Sequence, residues 1–95
     1  MSRKTVSFNQ KGISKLPDNK PVVYKITTAG GKNNYTGVAQ RGRVQERLQE
    51  HLAGNKDPVP GSKVQVQQMP SIEEAKAREA RIIARSKPPH NDKGK

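Results

Sequence analysis

Apolar positions are thinly spread along this chain, and their spacing changes character several times. From Pro21 to Thr28 they are nearly continuous. Val22, Val23, Tyr24, Ile26, Thr27 and Thr28 are β-branched or aromatic residues of the kind that fill strands. Ala29-Gly30-Gly31-Lys32 interrupts the run with a turn signal that joins antiparallel strands, and a second strand is expected from about Asn33 to Ala39. From about Arg43 to Ala53 the period becomes helical, with Val44, Arg47, Leu48 and His51 on one face and Gly54 as the stop. Lys63 to Met69 alternates for four residues, placing Val64 and Val66 on one face. This predicts a third strand, poor enough in apolar residues to lie at an edge.

The last element carries the clearest signals. Ser71 is a good N-cap and Glu74 completes a capping-box pattern. Glu73 and Glu74 suit the positive end of the helix dipole, Lys76, Arg78, Arg81 and Arg85 lie toward the negative end, and Lys87-Pro88-Pro89 stops the helix. Ile72, Ala75, Ile82 and Ile83 form its apolar stripe, and Glu79 falls in the middle of that stripe.

Strand parity adds a geometric expectation. If Gly30 and Gly31 form a two-residue turn, Ala29 faces Lys32, Ile26 faces Tyr35 and Tyr24 faces Gly37. The two phenols then share one face as diagonal neighbours, whereas a loop with an odd number of residues would separate them.

Residues 1–20 are polar with scattered apolar anchors at Val6, Phe8, Ile13 and Leu16, and read as a partly ordered N-terminal arm, with a helical turn over Ser14 to Pro17. Asn55 to Ser62 is a loop rich in turn formers. Residues 92–95 read as a disordered tail and 21–91 as one domain. The fold class expected is α+β: a small three-stranded antiparallel sheet flanked by helices.

Composition narrows the function. Only 29% of the 95 residues are hydrophobic, so the core is small. The net charge of +11, from 19 Lys and Arg against 8 Asp and Glu, points to a polyanion, and nucleic acid is the commonest such partner. No segment has the basic amphipathic pattern of a membrane-surface helix or an apolar run able to span a bilayer. Cysteine is absent, which excludes a disulfide framework, a thiol nucleophile and a Cys-based zinc site. The start lacks a signal-peptide core, and a cytoplasmic location is expected.

Five polar groups remain as candidate chemistry: two phenols on a hairpin, an arginine with a histidine one turn later, and a glutamate inside an apolar stripe. Each has an ordinary structural explanation. The tyrosines cover the core, Arg47 snorkels, His51 is a hydrogen-bonded edge residue, and Glu79 forms a salt bridge, for instance to Arg47. Together they suit phosphodiester hydrolysis. That reaction needs positive charge at the phosphate, a divalent metal on a hard oxygen ligand, and a base for water.

At this point the sequence resembles the GIY-YIG nuclease family. Val22-Val23-Tyr24 stands where the family has Gly-Ile-Tyr, and Tyr35-Thr36-Gly37 where it has Tyr-Ile-Gly. Arg47-Leu48 followed by His51 looks like the family's helical Arg-Leu and downstream histidine. Glu79, Ile82-Ile83, Lys87-Pro88 and Asn91 are similar to its closing pattern. The likeness spans Pro21 to Asn91 and departs at Val22, at Thr36 and in a longer link from Tyr35 to Arg47.

The resemblance implies a one-metal DNA endonuclease of repair, recombination or restriction. Tyr24 and Tyr35 would position or activate water, with the choice of base left open. Arg47 would hold the scissile phosphate, with His51 assisting at the same face. Glu79 would bind one Mg²⁺ or Mn²⁺, and Asn91 would buttress the site. Lys25, Lys32, Arg41, Arg43, Arg47 and Lys87 are the expected DNA contacts. A partner protein would supply target selection. The reading from a different class is a basic module that binds nucleic acid on the same fold without cutting it.

Overall fold

A computed structural model describes residues 3–52, 59 and 61–87. The chain is α+β, a four-stranded antiparallel sheet with three helices. The order along the chain is β1 (Arg3–Ser7), α1 (Gln10–Ile13), β2 (Val22–Thr27), β3 (Asn33–Ala39), α2 (Val44–Gln49), β4 (Lys63–Gln68) and α3 (Ile72–Ser86). Across the sheet the order is β1-β4-β2-β3.

The fourth strand is the main correction to the sequence reading. Residues 3–7 lie in what read as an arm, yet they pair along β4 from Arg3↔Gln67 to Ser7↔Lys63. β4 is therefore an inner strand rather than an edge. Its few apolar residues suffice because Val64 and Val66 are wholly buried on one face while the backbone is satisfied on both sides. The helical turn of this region comes at Gln10–Ile13, ahead of Ser14 to Pro17. Asn9 caps it, its Oδ1 accepting from the Gly12 amide at 2.7 Å.

The sheet separates two apolar layers. On one side Val22, Tyr24, Ile26, Ala39, Val64 and Val66 pack under Ile13, Leu16, Val44 and Leu48 from α1, α2 and their links. On the other side Val23, Val38 and Met69 pack against Ile72, Ala75 and Ile82 of α3. α2 is shorter than the helix expected over Arg43 to Ala53. Arg43 at its N-cap provides no side-chain cap. Asp18 takes that part from a distance, its Oδ1 accepting from the Val44 amide at 2.7 Å and its carbonyl from Gly42 N–H at 2.8 Å. α3 begins as expected, with Ser71 Oγ accepting from the Glu74 amide at 3.2 Å. It ends at Lys87, held in the left-handed region at φ 45°.

The β2–β3 connection reaches the expected register by a different route. The Thr28 amide donates to the Lys32 carbonyl, so Ala29, Gly30 and Gly31 form a three-residue loop, with Gly31 at φ 92°. An odd loop alone would put the phenols on opposite faces. A bulge at Asn34 restores the parity: Thr27 pairs with Asn33, while Ile26 pairs with Tyr35 and Tyr24 with Gly37. Asn33 stitches the bulge, its Oδ1 accepting from the Tyr35 amide and its Nδ2 donating to Thr36 Oγ1.

Candidate active site

Gly37 is the centre of the site. It faces Tyr24 across the β2–β3 ladder. A Cβ at this position would lie 2.6 Å from the Tyr24 hydroxyl oxygen, 2.7 Å from its Cζ and 3.0 Å from Tyr35 Cε2. The missing side chain is thus the space in which the two phenols meet. Their rings sit 6.1 Å apart between centroids at 33°, within the range of favourable tilted aromatic pairs.

α2 supplies the rest of this wall. Leu48 anchors the helix in the core, and the chain just past it turns His51 inward. The imidazole is fully buried, 4.8 Å from the Tyr35 ring and 5.8 Å from the Tyr24 ring. Its Nε2 lies 2.9 Å from the Tyr24 hydroxyl. The His51 carbonyl accepts from the Val59 amide, which anchors this turn to the loop before β4.

Exposure differentiates the two tyrosines. Tyr24 is 1% exposed, and burial, together with the neighbouring Tyr35, pushes its phenol well above the ordinary value of 10.0. A side-chain hydrogen bond with Tyr35 acts in the same direction, and the charge of Arg47 and its hydrogen bond oppose it. Tyr35 is only half-buried and is the phenol nearer to solvent.

Arg47 occupies the rim, with its side chain 46% exposed. Burial works against its charge, but Tyr24, Tyr35 and Glu50 more than offset that, and its pKa is raised. Its ion pair is with Glu50 at 3.1 Å. The salt bridge to Glu79 considered from sequence is therefore absent among the described residues.

Glu79 lies on α3, across the sheet from the phenols. β3 is an edge strand, so α2 and α3 reach one another around it. A shallow cleft of about 310 Å³ there is lined by Val38, Ala39, Gln40, Arg43, Arg47, Ile72 and Lys76. Glu79 feels both Lys76 and Arg47, yet burial outweighs them and raises its carboxyl pKa. It has no hydrogen-bond or ion-pair partner among the described residues. Among those residues no cluster of three or more metal-ligating side chains occurs. A half-buried carboxylate without a partner fits a hard divalent ion that takes its remaining ligands from water and phosphate.

Tyr24, Tyr35, Arg47 and His51 thus converge, and Glu79 shares the field of Arg47 from the opposite sheet face. Asn91 lies outside the described residues. The six cations expected to grip DNA divide. Arg41, Arg43 and Arg47 lie on the β3–α2 side, while Lys25, Lys32 and Lys87 line a separate groove. Lys76 was not singled out from sequence, although its position three residues before Glu79 puts the two on neighbouring parts of one helix surface. Compared with known proteins, the chain matches no family model, no curated protein and no solved structure.

Proposed function

We propose that this protein is a divalent-metal-dependent endonuclease of the GIY-YIG type that hydrolyses DNA phosphodiester bonds. The observation that carries the reading is the ordered set Tyr35, Tyr24 and His51, which runs from a half-exposed phenol through a buried one to a buried imidazole, beside Arg47.

Tyr24 is poorly suited to act as a free phenolate, because burial holds its proton. The arrangement suits a relay instead. Water at the rim gives a proton to the Tyr35 hydroxyl oxygen, the Tyr35 proton passes to Tyr24, and the Tyr24 proton passes to His51 Nε2. The relay needs a neutral imidazole in the tautomer with Nε2 unprotonated. The hydroxide forms its bond to phosphorus as the bond to the leaving oxygen breaks. Arg47 meets the charge that grows on the phosphate, and the developing imidazolium adds positive charge nearby. Glu79 would hold the metal, which when bound polarises the phosphate and stabilises the leaving oxygen. Lys76 and Arg43 add positive charge in the cleft that Arg47 lines.

The test is incubation of the full chain with supercoiled, branched and single-stranded DNA, with Mg²⁺, with Mn²⁺ and with chelator. Cleavage that requires metal, is lost in Glu79→Gln and is strongly reduced in Tyr35→Phe is the expected result. A chain that binds these DNAs but nicks none of them under any metal condition is a binding module, and the relay reading is then abandoned.

A further inference from the structure

We propose that the sheet face opposite the phenols carries a second nucleic-acid surface, a groove that holds the sugar–phosphate backbone of duplex DNA without reading its sequence. α3 packs over β2 and β3, and among the described residues it leaves the β4 and β1 half of that face uncovered. The resulting groove has a volume of about 740 Å³ at the hairpin end. Its floor is polar: Lys25 and Thr27 from β2, Gln65 from β4 and Thr5 from β1. Register explains the composition, since Thr5, Gln65 and Lys25 stand side by side across three strands. Side chains on one face of adjacent strands are immediate neighbours.

The walls are cationic. Arg78, Arg81 and Arg85 follow one side of α3 beside Lys25, and Lys87 and Lys32 close the end nearest the hairpin turn. No acidic residue lines this groove among the described residues. Glu73 and Glu74 lie in the first turn of α3, and Glu79, its third acidic residue, is not among the residues that line the groove. Arg78 is half-buried, and its Nε finds no acceptor among the described residues. A row of cations over a floor of amides and hydroxyls complements phosphate oxygens and sugar hydrogen bonds.

Duplex is favoured over single strand by what the groove lacks. Grooves for single strands stack bases on aromatic rings. The chain has two tyrosines, one phenylalanine and no tryptophan. Tyr24, Tyr35 and Phe8 all belong to the opposite layer. This groove therefore grips backbone alone.

The proposal stands apart from catalysis, so its test is run in chelator, where no metal-dependent cleavage occurs. Binding of a short labelled duplex of mixed sequence is followed by fluorescence anisotropy between about 50 and 250 mM salt. The triple variant R81Q/R85Q/K87Q is compared with K11Q/K15Q/K20Q, which removes equal charge from the α1 side. All six residues are exposed, and thermal melts check that both variants fold. If each groove substitution removes one phosphate contact, the slope of log affinity against log salt becomes shallower by about 2.7. At about 0.1 M salt the affinity then falls by up to about 500-fold. The control triple changes both far less. Equal losses in the two triples would reduce the effect to net charge and overturn the proposal. So would unchanged binding in the groove triple, or a groove-dependent preference for single strands.

Discussion

Gly37→Ala is the sharpest probe of how this site is packed. The added methyl would stand 2.6 Å from the Tyr24 hydroxyl oxygen and 2.7 Å from Cζ, both far inside van der Waals contact. Tyr24 is enclosed, at 1% exposure, and has little room to retreat without leaving His51. Overpacking of a dense interior costs about 1–3 kcal/mol, and losing the buried phenol–imidazole bond adds about 1–3 kcal/mol if a partner is left unsatisfied. A loss of about 2–6 kcal/mol is expected, which for a domain of this size lowers Tm by roughly 10–45 °C. Gly30→Ala is the control, because its nearest neighbour would be a Thr28 hydroxyl at 3.9 Å; it should fall within about 0.5 kcal/mol of the parent. Thermal and urea melts of both variants, with Tyr24→Phe and the double variant Tyr24→Phe/Gly37→Ala, make a cycle. The double should cost less than the sum, since removing the hydroxyl relieves the closest contact. If Gly37→Ala were as stable as Gly30→Ala, the phenols would not meet over Gly37, and the relay geometry would fail with them.

Other expectations follow from the same geometry. Glu79→Gln should fold at least as well as the parent, because Glu79 has no ion-pair partner among the described residues. Its raised pKa makes the ionised form unfavourable in the fold, a handicap that is absent below the ordinary carboxyl value of 4.5 and grows as pH rises through the folded pKa. The advantage of Glu79→Gln in metal-free melts should therefore appear only above that value, and if Glu79 holds the metal, Mg²⁺ or Mn²⁺ should raise the Tm of the parent but not of this variant. Arg47→Ala should lower the cleavage rate roughly 10²–10³-fold. It should cost about 1 kcal/mol of stability, since its pair with Glu50 lies at the rim with the Arg47 side chain 46% exposed; a severe loss of stability would make Arg47 a structural residue. Ser71→Ala removes the cap of α3 and should cost about 0.5–2 kcal/mol in denaturant melts, with no change expected in the environment of the phenols.

What the sequence determined by itself is whatever depends on neighbours along the chain. Ser71 and Glu74 set the start of α3, because a cap needs only residues three apart. Val64 and Val66 declared their common face through a period of two. The pairings of Ile26 with Tyr35 and Tyr24 with Gly37 were also legible, although through compensating departures: a three-residue loop in place of two, and a bulge at Asn34. Local spacing cannot reveal such a compensation, since parity is the sum of both.

The rest required the tertiary structure because the contacts join residues far apart in sequence. β1 is a strand only because β4 offers it an edge, and its own apolar residues are too few to announce one. Asp18 caps α2 from 26 residues away. His51 is buried not by its own helix but by Tyr24, 27 residues distant. The division of the basic residues into a cleft at the β3 edge and a groove over β4 and β1 follows from which half of the sheet α3 covers. Charge counting along a chain records how many cations there are; only packing decides which of them share a surface.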